Sequence, residues 1–75
     1  MSIQEIGVTN NQRKQLLRAI KNEDVLFTDD NGDLVVNVAA YLVFKETLKP
    51  RDADPIEVTI GVENLDFNSE FFVFT

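Results

Sequence analysis

Seventy-five residues, 44% hydrophobic and 27% charged, suit one globular domain spanning residues 1–75. A fold of this size hides only about 60% of its unfolded surface, which excludes a deep substrate cleft. Cysteine and histidine are both absent, excluding disulfide staples, thiolate or imidazole metal sites and the commonest general base, and a net charge of −6 disfavours direct nucleic-acid binding, which depends on clustered Lys and Arg.

Residues 1–6, MSIQEI, carry neither the basic region nor the apolar run of a signal peptide. The most apolar stretch, Val38 to Phe44, falls far short of the roughly 20 residues that cross a bilayer. A cytoplasmic protein with no membrane segment is therefore expected.

The first predicted element is a helix over Gln12 to Lys21. Thr9 followed three residues later by Gln12 makes a capping box, with Asn10 and Asn11 as alternative caps. Leu16, Leu17, Ala19 and Ile20 then fall on one arc at helical spacing, while Lys14, Arg18 and Lys21 share the opposite arc. Asn22 marks the exit.

A hairpin follows, signalled by Asn31-Gly32 as a type I′ turn, which sets Phe27 opposite Val36 and Val25 opposite Val38. Alternation of apolar residues continues unbroken from Leu34 to Phe44, and the β-branched and aromatic residues Val35, Val36, Val38, Tyr41, Val43 and Phe44 favour a strand throughout. A helix over Val38 to Lys49, with Asn37 as cap and Pro50 as stop, competes with that reading. Lys49 to Pro55 is a loop, because two prolines and four charges forbid a buried strand. Ile56 to Glu63 alternates again as a third strand, Asn64 to Ser69 is a turn, and Phe71 to Phe74 closes the chain as a fourth strand. The fold class expected from this order is α+β, one N-terminal helix packed on one face of a four-stranded antiparallel meander sheet.

Few residues offer chemistry. Asp29, Asn31 and Asp33 repeat the opening spacing of a calcium loop, but the sixth position is Leu34 instead of glycine and the twelfth is Ala40 instead of glutamate. The Asp52-Ala53-Asp54 pair sits in a proline-bounded loop and reads as solvation. The remaining carboxylates fall in turns and on polar faces, where little would separate their pKa values for acid and base work. No catalytic residue, metal ligand or cofactor site is expected, and the chain reads as non-enzymatic.

Charge is unevenly spread. Residues 1–22 carry a net +3, whereas residues 23–75 hold three cations and twelve carboxylates, a net −9. Such a dipolar surface selects partners by its field. Asp29, Asp30, Asp33, Glu57 and Glu63 are candidates to meet a basic protein surface. By analogy of charge alone, they fit an acidic inhibitor of a nucleic-acid-handling enzyme, as in DNA-mimicking phage counter-defence proteins.

Phe71-Phe72-Val73-Phe74 adds a second constraint, since alternation buries one pair and turns the other outward. An apolar sheet face away from the helix is implied, extended by Val35, Ala39, Tyr41 and Val43 unless Ile3, Ile6 and Val8 fold back over it. Such patches beside a sheet edge mark association, of two copies or with a protein partner. Tyr41, Phe72 and Phe74 are the apolar contact candidates. The leading expectation is a small acidic protein-binding module acting through the outward sheet face and the C-terminal strand; the inhibitor is the alternative.

Overall fold

Over residues 2–75, which a computed structural model describes, the chain forms four strands and three helices. In chain order these are β1 (Ile3–Ile6), α1 (Asn10–Ala19), β2 (Leu26–Thr28), β3 (Leu34–Asn37), α2 (Val38–Glu46), α3 (Pro55–Thr59) and β4 (Phe71–Phe74). The sheet order is β1-β4-β3-β2, with β1 parallel to β4 and the other two pairs antiparallel. This corrects the expected meander: the class is α+β, but the sheet is mixed and the helices number three.

The capping box at α1 forms as the sequence predicts. Thr9 Oγ1 accepts from the Gln12 amide at 3.1 Å and Gln12 Oε1 accepts from the Thr9 amide at 2.8 Å. Leu16 and Ile20 turn inward, one turn apart, while Leu17 stays exposed. Gln12 also donates through Nε2 to the Thr59 carbonyl at 3.1 Å, tying the start of α1 to the end of α3.

The expected strand over Leu34 to Phe44 is a strand only as far as Asn37, after which the competing helix forms as α2 and ends at Glu46, short of Lys49; the expected strand over Ile56 to Glu63 is replaced by α3. The chain leaves β3 at Asn37, whose Oδ1 accepts from the Ala40 amide at 3.1 Å and caps α2. Val38 and Tyr41 are then buried and Phe44 half-buried, a spacing of three that only a helix delivers. At α3, Asp54 caps the amides of Ile56 and Glu57, Pro55 occupies the first turn, and the Gly61 amide (φ +85°) returns to the Ile56 and Glu57 carbonyls. Proline inside the start and glycine past the end stop a strand over Ile56 to Glu63 from forming.

The hairpin forms one residue out of the expected register. Asn31 does not take a positive φ, so the type I′ turn is replaced by a three-residue loop. In it the Gly32 amide donates to the Asp29 carbonyl, and the Asp29 amide to the Asp33 carbonyl, both at 3.0 Å. Asp29 Oδ1 also accepts from the amides of Asn31 and Asp33 at 3.0 and 2.9 Å, holding the turn from inside. The pairs become Leu26 with Val36 and Phe27 with Val35. A slip of one residue reverses faces, so Leu26 enters the core and Phe27 leaves it.

Gly32 has φ +82°, and nothing lies within 4 Å of where its Cβ would stand. The cost of a side chain there is backbone strain alone. Gly32→Val should destabilise the protein by about 1–2 kcal/mol, read as a lowered thermal midpoint; an unchanged midpoint would remove the turn's demand for glycine.

The core lies between the helices and one face of the sheet. Leu16, Ile20, Val38, Tyr41 and Ile56 from the helices pack with Leu26, Leu34, Val36, Phe72 and Phe74 from the strands. Gln4, on the same face of β1, donates to the Asn64 carbonyl at 2.6 Å and accepts from the Asp66 amide at 2.8 Å, fastening the loop that leads into β4.

Candidate functional site

Because the helical residues of the core all pack against one face of the sheet, the other face is bare. Its middle row runs across all four strands in register as Glu5, Val73, Val35 and Phe27, with Ile3 and Phe71 paired in the next row. Val35 is buried beneath its neighbours, Ile3 is 50% exposed and Phe27 39% exposed. Phe27 meets Phe71 edge to face with centroids 6.5 Å apart, a geometry that suits the quadrupoles of two rings. Ile3, Phe27, Asp29, Val35, Phe71 and Val73 line a shallow depression of about 260 Å³.

The segment considered as a cover for this face extends it instead. β1 joins the sheet beside β4, and the parity of its residues sends Ile6 toward the core and Ile3 outward. The remaining exposed apolar side chains are Leu17, Leu42, Val43 and Val58 on three different helices and Val62 in the loop after α3. A larger hollow of about 410 Å³ lies between α1 and α3 beside Gln15, Arg18, Pro55 and Val58. It is an open seam between two helices and gathers no ionisable cluster.

The contact residues expected from sequence are sorted by this geometry. Phe72 and Phe74 are fully buried, so the outward pair is Phe71 and Val73. Tyr41 is fully buried too, because it lies on α2 and not on a strand. Ala39 and Val43 leave the sheet with it. Val35 alone of that set stays on the outward face. Asp30 is exposed at the hairpin tip, Asp33 is half-buried there, and Asp29 is committed through Oδ1 to the turn. Glu57 lies on α3 and Glu63 in the loop beyond it, so the acidic candidates divide between the sheet and the helical layer. Ile3, Glu5, Phe27, Phe71 and Val73 are the members that sequence reasoning missed. The register slip hid Phe27, and the short β1 gave too few alternations to be read as a strand.

One polar cluster is enclosed. Asp54, with a side chain 10% exposed, accepts through Oδ1 from the Tyr41 hydroxyl and from the Ile56 and Glu57 amides. Its Oδ2 faces the Lys45 ammonium at 3.3 Å, and that ammonium also lies over the Tyr41 and Phe67 rings at 5.8 and 5.7 Å. The hydrogen bonds to Oδ1 and the ion pair brace α2 against the start of α3, while Oδ2 itself accepts no hydrogen bond. Among the described residues no three carboxylates converge on a position that would hold a metal ion, and no helix is long and apolar enough to cross a membrane.

No protein-family model, curated protein or solved structure matches this chain.

Proposed function

We propose that this protein is a non-enzymatic binding module whose contact surface is the bare face of the sheet. The observation that carries the reading is the continuous apolar surface of Ile3, Phe27, Val35, Phe71 and Val73, left open while three helices crowd the opposite face. Contiguous apolar surface on a small protein loses free energy to water and is the usual mark of a contact site. The partner is a protein, and the C-terminal strand contributes through Phe71 and Val73.

A photo-cross-linking residue at position 3 should capture one discrete partner in the native host, while the same residue at Val43 on α2 should not. Phe27→Ser, made together with the label at position 3, should abolish the adduct with the fold intact by circular dichroism. Equal adducts from both positions, or none from position 3, would remove the sheet face as the contact surface.

The acidic inhibitor is the second reading, favoured by one observation: all seven Lys and Arg lie on α1, on α2 or just beyond them, and no strand carries one. Under that reading the hairpin acids Asp29, Asp30 and Asp33 meet a basic groove. Binding would then fall steeply with salt and survive Phe27→Ser.

A further inference from the structure

Building on the sheet-face reading above, we infer that the occupant of this face is a protein segment presenting apolar side chains flanked by Lys or Arg, and not a second copy of this chain. Carboxylates border the apolar surface. Glu5 stands on the face itself, in register with Val73 at the β1 edge. Asp29 lines the depression beyond Phe27, and Asp30 and Asp33 complete the turn that closes the same end. No strand residue and no residue of that turn is a Lys or Arg.

Two copies meeting face to face would close the apolar surface with these four carboxylates from each copy at its rim and no Lys or Arg of the strands or the turn to pair them. Closing an apolar contact removes water from its rim, so unpaired like charges there oppose association and strengthen with desolvation. A partner whose apolar residues are flanked by cations gains from both features at once. The apolar centre then supplies affinity, and the carboxylate border selects the partner and its orientation.

The probe for this proposal is a synthetic amphipathic helix of leucine and lysine, with a helix of identical pattern in leucine and glutamate as its counterpart. Isotope-labelled protein titrated with the lysine helix should show methyl and ring shifts at Ile3, Phe27, Val35, Phe71 and Val73. The glutamate helix should bind at least tenfold more weakly, since one set of charges pairs and the other repels. Glu5→Gln combined with Asp30→Asn and Asp33→Asn should weaken the lysine helix by roughly tenfold at low salt. Asp29 is left in place because its carboxylate holds the turn.

Equal affinity for the two helices at this face would overturn the cationic partner while leaving the face as a binding surface. Shifts confined to α1 and α3, or no binding at all, would overturn the proposal together with the sheet-face reading once position 3 also yields no cross-link. Sedimentation should show a monomer across the micromolar range. A dimer broken by Phe27→Ser would make the second copy the occupant and sink the inference.

Discussion

Phe72→Ala should cost about 3–5 kcal/mol, the range for removing a large buried aromatic and leaving a cavity behind. Phe72 is fully buried between β1 and β3, with its ring 5.7 Å from Phe67 and 6.4 Å from Phe74. A domain of this size has a total stability of only about 4–11 kcal/mol, so this one substitution removes a large share of it. Its neighbour provides the contrast. Phe71 is half-buried on the open face, and Phe71→Ala should cost about 1–2 kcal/mol, mainly the edge-to-face contact with Phe27. Urea titrations of the two variants measure the difference, and equal losses would mean that the faces of β4 are assigned wrongly.

The second large effect is expected at Asp54. Asp54→Ala removes the cap of α3, worth about 0.5–2 kcal/mol, and strands the hydroxyl of the fully buried Tyr41, worth about 1–3 kcal/mol more. The combined loss should be about 1.5–5 kcal/mol. Tyr41→Phe alone leaves the cap and the ring in place and should cost less. Made on top of Asp54→Ala, it should recover part of the loss, because the orphaned hydroxyl disappears with it. A double-mutant cycle in denaturant reads that coupling directly; strictly additive losses would show that the hydroxyl and the carboxylate do not share a bond.

These two sites also show where the sequence is transparent and where it misleads. The capping box at Thr9 and Gln12 was legible because its signal is local: two side chains and two amides within one turn. The outward apolar surface was legible from Phe71 to Phe74, since no sheet buries both parities of that run against one layer of helices. Which parity goes inward depends on β1 and β3, and that is long-range information.

The apparent strand from Leu34 to Phe44 held as far as Asn37 and failed beyond it for a different reason. Val38, Ala40, Leu42 and Phe44 satisfy a period of two, but Val38, Tyr41 and Phe44 satisfy a helix equally, because nearly every position is apolar. Asn37 decides between them by capping Ala40, and its signal is a single side chain. At Pro55 to Thr59 the alternation of Ile56, Val58 and Ile60 concealed a stronger signature. Asp54 and Pro55 begin a helix and Gly61 ends it, all by local backbone geometry. The hairpin was recognised and its register missed for want of one fact: Asp29 folds its carboxylate into the turn and lengthens the loop from two residues to three. That residue moved Phe27 into the candidate site.

The position of β4 governs how the protein must fold. The last element in the chain order lies inside the sheet, and β1, the first, has no other strand to pair with. A chain that has emerged only as far as α3 has no β4, so its core would lack Phe72 and Phe74. Its first segment waits unpaired. Closing such remote contacts is entropically slow, and meanwhile apolar edges on β1 and β3 stand open to other chains. Placing β4 then completes two pairings and the core together.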